Sequence, residues 1–406
     1  MGKYTAYGQE VDDYIQKNYL DKIIKVFVRD CNPISILLFG GFGKGEGSVH
    51  FVDGKPVPFN DFDLYVITDD KMSDEDLDKM SMNASREIGM GGLEIAYFPK
   101  EGYDANKYFH VDVRCLPRNK MDSLMSIQRY YELKHGTQVI YGEHILEEMK
   151  DIKANDLPVS DGLRNLFNKL HTMLLGLQKD YNEDQRRVRI FWSNKCYMSI
   201  CESLLMLDKK FASTAKRRSE IFSEIYETSF PYLYGRFPDL PEKVLKGTNF
   251  KLKPDFDVDA DKLWNEALRD ILFVFEYYVK RMSGIEDVGK AINDKLPFNY
   301  FEPFLKEKIG FNLFPAQYVL NLGYLNVLRK EKEFYVKPLL NWKDVGLRMI
   351  LPIYYLLKFK VEGKDRYLDK SYWELQNFIK TEDSDFWYLR ERALRAYGLY
   401  YEQRLL

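Results

Sequence analysis

The 406-residue sequence predicts a small mixed α/β domain over residues 1–155, followed by a larger all-helical domain over residues 156–406. Three observations predict this. Short apolar runs that alternate with period two are confined to the N-terminal part of the chain. From Ser160 onward the apolar residues recur at 3.6-type spacing with almost no strand alternation. A chain of this length also exceeds what one hydrophobic core usually holds.

The first domain reads in order. Gly8–Arg29 has helical spacing (Val11, Tyr14, Ile15, Tyr19, Ile23, Ile24, Phe27) and is expected to pack on a sheet. Ile34–Phe39, bounded by Pro33 and Gly40, is a buried strand. It runs into Gly40-Gly41-Phe42-Gly43-Lys44-Gly45-Glu46-Gly47-Ser48. Glycines there let backbone approach an anion, and the amides of a short following helix point toward phosphate. Val49–Pro58 reads as a hairpin around Asp53-Gly54, a favoured two-residue turn. Asp74–Gly89 is helical, with Ser73 as its N-cap. Leu93–Phe98 is a strand in which Glu94 is a sheet-end charge, and the Pro99–Asn106 segment joins it to the alternating run Tyr108–Leu116. Met121–Lys134 reads as a helix, and the domain boundary falls between Lys150 and Ser160. Helices follow at Leu163–Tyr181, Arg186–Leu207, Ala215–Thr228, Asp261–Met282, Pro315–Leu328, Val345–Phe359 and from Ser371 to the end.

Chemistry concentrates on the strands. In Asp61-Phe62-Asp63-Leu64-Tyr65-Val66-Ile67 the period of two puts Asp61 and Asp63 on one side and Phe62, Leu64 and Val66 on the other, toward a core. Asp112, between Val111 and Val113, joins them if its strand is a neighbour. Three carboxylates in one small site repel each other unless a cation neutralises them. Oxygen donors of this kind suit Mg²⁺, which also holds substrate phosphates.

A strand, a Gly-Gly turn, Asp-x-Asp on the next strand and one Asp on a later strand together resemble the polymerase-β-like nucleotidyltransferases. The string Gly40–Glu46 is especially similar to the glycine turn of protein-modifying uridylyl- and adenylyltransferases, and antibiotic nucleotidyltransferases have related layouts. The resemblance covers about residues 30 to 120. It implies that Asp61 and Asp63 ligate two Mg²⁺ ions (Mn²⁺ being an alternative), and that Asp112 ligates the catalytic metal and takes the acceptor hydroxyl's proton. Gly40, Gly41, Lys44 and Ser48 are implied triphosphate contacts, with Lys195 reaching the phosphates from a C-terminal helix. In this family Asp-x-Asp usually follows the glycine turn sooner, so residues 49–58 are an insertion.

Composition narrows the partners. The formal net charge is −2, with the first 150 residues acidic and the remainder mildly basic, which argues against a large nucleic-acid interface. No apolar run approaches the ~20 residues of a membrane span. The first ten residues lack the apolar segment of a secretory signal. Cys31, Cys115, Cys196 and Cys201 have no Cys-x-x-Cys spacing and read as reduced thiols, so a cytoplasmic protein is expected. His110 shares a strand face with Asp112 and reads as an ordinary polar residue at a strand start. The predicted activity is transfer of a nucleoside monophosphate from a nucleoside triphosphate, ATP being the commoner donor, to a hydroxyl of a small molecule or protein. The alternatives are an RNA-terminal or second-messenger-forming transferase, and a nucleotide-binding interaction protein without catalysis.

Overall fold

The computed structural model describes residues 2–90, 111–179, 182–294, 296 and 345–402, and over these the chain is mixed α/β, with a small sheet and many helices. It divides into two compact units: Met1–Leu157 together with Asp208–Val258, and Pro158–Leu207 together with Asp259–Leu406. A single division between residues 155 and 156 therefore does not describe the chain. The helices Ala215–Ser229, Pro231–Tyr234 and Leu240–Leu252 belong with the sheet.

The first unit is built on a four-stranded mixed sheet of β1 (Ser35–Leu38), β4 (Phe62–Thr68), β5 (Val111–Pro117) and β6 (Gln138–Gly142). The strand order is β5-β4-β1-β6. β1 is antiparallel to β4 and β6, with a bulge between Ile36 and Leu37 on the β6 side, and β4 is parallel to β5. The helices Gln9–Ile15 and Asp21–Cys31, joined by a π-type turn at Gln16–Leu20, lie with the helix Asp74–Glu87 on one face. There Ile15, Leu20, Ile23 and Phe27 pack with Ile36, Leu38, Phe62, Leu64, Val66, Val111 and Val113. The other face carries Leu37, Tyr65, Ile67 and Leu116, covered by Met121, Leu124, Leu133, Ile145 and Met149. Alternation along β4 thus serves two cores, as expected for a central strand.

Ser73 caps the Asp74–Glu87 helix by accepting the Asp76 N–H at 3.1 Å. β2 (Val49–Val52) and β3 (Lys55–Pro58) form the hairpin expected at residues 49–58. Asp53 and Gly54 have φ of 50° and 76°, the left-handed pair that a two-residue hairpin turn requires. The helix expected at Met121–Lys134 is instead a 3₁₀ turn at Arg118–Ser123 and a helix at Gln128–His135. Leu124 and Ile127 between them are extended, and Met121 and Leu124 both enter the core beneath the sheet.

In the second unit the helices are Val159–Leu175, Glu183–Leu207, Ala260–Ser283, Val288–Asp294, Val345–Glu362, Arg366–Leu375 and Phe386–Glu402. Buried polar contacts fix their packing: Tyr197 donates to Asp270 at 3.0 Å, Ser203 to the Gly162 carbonyl at 2.8 Å and Tyr278 to the Val159 carbonyl at 2.7 Å. The expected strand Leu93–Phe98 with Glu94, the Pro99–Asn106 segment, His110 and the expected helix Pro315–Leu328 lie outside the described residues. Among the described residues, no helix is long and apolar enough to cross a membrane.

Candidate active site

Parallel pairing of β4 with β5 sets Asp63 directly beside Asp112, and the next pair on the same face is Tyr65 beside Arg114. Asp61 lies two residues before Asp63, at the mouth of β4, so the strand period gives it the same side. All three carboxylates are half-buried. Their face is the one that continues as Tyr65 and Ile67, opposite the core of Phe62, Leu64 and Val66.

The glycine turn closes against this face. Phe39 N–H donates to the Asp63 carbonyl at 2.8 Å, and Gly40–Gly43 then forms one helical turn. Gly40 has φ of +64°, and a Cβ there would lie 1.9 Å from Asp63 Oδ2. Only glycine meets both conditions, the left-handed backbone and the carboxylate pressed against the Cα. Gly43 is confined for another reason: its Cβ would lie 2.1 Å from the Leu38 carbonyl oxygen. At Gly41 the nearest atom to a Cβ is the Glu46 carbonyl oxygen at 3.4 Å, so side-chain space is not what places glycine there.

Electrostatics divide this small region sharply. Burial, then the neighbouring Asp61 and Asp112 carboxylates, push Asp63 well above the usual carboxylate range, while Arg114 and Lys44 pull the other way less strongly. Asp112 has a partner of its own: Arg114 Nη2 donates to its Oδ2 at 3.0 Å. Burial disfavours the Arg114 charge, but Asp112 and Tyr65 beside it more than compensate and raise its pKa.

The donor set fits a hard divalent cation in part. A half-buried carboxylate crowded by two others gains from a cation, and Mg²⁺ is commonly held by one or two carboxylates plus substrate phosphates and water. Yet among the described residues no three His, Cys, Asp or Glu side chains are arranged to hold a metal ion together. Asp61 and Asp63 therefore fit as the protein's share of such a site, with Asp112 engaged by Arg114.

Two implied triphosphate contacts have protein partners of their own. The Lys44 ammonium is buried 3.1 Å from Glu132 Oε2, and Arg218 Nη1 holds the other Glu132 oxygen at 2.9 Å. Ser48 is fully buried, and its hydroxyl donates to the Lys251 carbonyl. Ser48 thus fastens the turn to the Leu240–Leu252 helix, and Lys44 fastens it to Glu132 on the Gln128–His135 helix, which Arg218 also holds. Sequence reading also missed the residue that does most of this fastening. The buried Glu46 carboxylate accepts the N–H groups of Ala215 at 2.9 Å and Lys216 at 2.8 Å, the opening amides of the Ala215–Ser229 helix, and pairs with Lys251 Nζ at 2.8 Å. Burial works against its charge, but Lys251 and these two N–H groups outweigh burial and bring its pKa down to about 2. The available signal was Thr214, an N-cap that accepts the Arg217 N–H and marks a helix start in need of an anion. Lys195 belongs to the second unit, on the helix Glu183–Leu207, with its ammonium 5.4 Å from the Phe191 ring centroid.

No known protein-family profile matches the chain, and no curated protein matches it. Among solved structures, it is similar to the spectinomycin adenyltransferase AAD(9) from Enterococcus faecialis, determined with ATP and spectinomycin. Identity is 14% and the TM-score 0.37, over 64% of this chain and 97% of that one. The likeness is slight, and the functional reading rests on the residues themselves.

Proposed function

We propose that the first unit is a polymerase-β-like nucleotidyltransferase. It transfers a nucleoside monophosphate from a nucleoside triphosphate, with ATP the first donor to test, to a hydroxyl of a small molecule or protein, and pyrophosphate leaves. One observation carries the reading: Asp63 stands in register with Asp112, with Asp61 two residues ahead, against a glycine whose missing Cβ makes room for the Asp63 carboxylate. A purely structural carboxylate is not expected to be crowded beside two others, because the arrangement destabilises the ionised form.

Asp61 and Asp63 would hold Mg²⁺, which on binding neutralises phosphate charge and orients the triphosphate. The acceptor oxygen forms a bond to the α-phosphorus as the bond to the bridging oxygen of pyrophosphate breaks. Asp112 takes the hydroxyl's proton on Oδ1, because Oδ2 is held by Arg114. Positioning and charge compensation supply most of the acceleration in such a step. The Gly40–Gly43 turn brings backbone rather than side chains to the phosphates. Lys44 and Ser48 serve the reaction only by holding that turn in place.

The test is calorimetric titration of ATP, GTP, CTP and UTP with and without Mg²⁺, on the wild-type chain and the Asp61→Ala, Asp63→Ala double variant. Mg²⁺-dependent binding of one triphosphate that the double variant loses is the expected outcome. Equal binding by both proteins, or none by either, rejects the assignment.

A further inference from the structure

The Asp112–Arg114 pair has a consequence for cation stoichiometry, and it rests on the nucleotidyl-transfer reading. Sites that use two metals bring the ions about 3.5–4 Å apart, which requires carboxylates shared between them. Here Asp112, the carboxylate that would complete the ligands of the catalytic ion, is already engaged by Arg114. Arg114 follows Asp112 by two residues on β5, so both project from the same face. Across the register, Asp63 stands beside Asp112 and Tyr65 beside Arg114. The guanidinium donates to Asp112 Oδ2 at 3.0 Å and acts electrostatically on Tyr65 and Asp63. A guanidinium stays protonated in proteins, so its positive charge is permanent.

Asp61 and Asp63 then remain as ligands, and two carboxylates with phosphate oxygens and water make up a common Mg²⁺ environment. That three acidic side chains nowhere converge for a metal among the described residues agrees with this division of labour. We propose that Arg114 occupies the place of a second metal, so that the site takes one divalent cation, held by Asp61 and Asp63, while Arg114 positions Asp112. Arg114 is a positioning residue here, acting through Asp112.

The experiment is electron paramagnetic resonance of the full chain titrated with Mn²⁺ in the presence of non-hydrolysable analogues of the four nucleoside triphosphates. A single bound, magnetically isolated Mn²⁺ per chain is expected for the wild type and for Arg114→Lys, which keeps the charge. Arg114→Gln frees Asp112 and is expected to take two ions showing the exchange coupling of a close pair. A coupled pair in the wild type overturns the proposal and leaves nucleotidyl transfer standing. One isolated ion in a folded Arg114→Gln variant removes Arg114 from the role and overturns it equally. If Arg114→Gln does not fold, the wild-type count still decides. No protein-bound Mn²⁺ in any variant overturns the functional reading and this proposal together.

Discussion

Two carboxylates flank the same glycine turn, one buried and one half-buried, and their surroundings drive them in opposite directions. Glu46 is wholly buried yet drops to about 2, because Lys251 and two helix-opening N–H groups surround it. Asp63, on the other side of the turn, is pushed well up by burial and two more carboxylates. A buried charge that is supplied with partners is structural mortar, and breaking it leaves the partners stranded. One denied enough of them is held at a cost, which a ligand can relieve. The contrast separates scaffold from site within one run of glycines, where residue type alone does not.

The double substitution Asp61→Ala, Asp63→Ala tests the site half most severely. Turnover should fall by about 10³-fold or more, with the chain still folded by circular dichroism. Full activity in that variant would falsify the contrast. Glu46→Gln tests the scaffold half. It strands Lys251 in a buried setting, and urea unfolding should show a loss of about 3 kcal/mol.

Gly40→Ala joins the two halves. The left-handed backbone alone should cost about 1–2 kcal/mol. Displacing Asp63 should also abolish Mg²⁺-dependent triphosphate binding, to be read by calorimetry. A Gly40→Ala variant that binds as well as wild type would show that the Asp63 contact is unimportant.

The pH profiles sharpen the comparison further. Glu46 is depressed from 4.5, so its stabilisation is fully present above that value and is lost as pH falls toward about 2. The stability gap between wild type and Glu46→Gln should therefore narrow across that window. Asp63 is raised above 3.8, so its penalty is absent below 3.8 and grows as pH rises above it. Without divalent cations, Asp63→Asn should melt higher than wild type, by a margin that widens with pH. The smallest effect belongs to the hairpin tip: Phe51 is 52% exposed, and Phe51→Ser should change stability by no more than about 0.5 kcal/mol.

What the sequence revealed follows from the range over which each feature is determined. The hairpin turn at Asp53-Gly54, the Ser73 cap and the side of β4 that Asp61 and Asp63 share are all fixed within a few residues, by turn chemistry and strand period. The register of Asp63 with Asp112 depends on which strands pair, and alternation stated it only as a condition. The anchoring of Lys44, Glu46 and Ser48 was out of reach of the sequence, because their partners Glu132, Ala215, Lys216 and Lys251 lie far along the chain. For the same reason helical periodicity assigned Asp208–Val258 to the wrong neighbour. Amphipathic spacing reports that a helix buries a face without reporting against what.

The grip of Glu46 on Ala215, Lys216 and Lys251 also bears on how the protein is made. Synthesis delivers a chain from its N-terminus at about 5–20 residues per second, and domains generally fold as units during that delivery. All three acids of the site emerge early, but Glu46 in the turn beside them lacks its full set of partners until residue 251 has left the ribosome. By then Pro158–Leu207, a stretch of the other unit, is already waiting outside. The two units are interleaved in time as well as in sequence, and the scaffold around Glu46 is completed only after part of the other unit has been made.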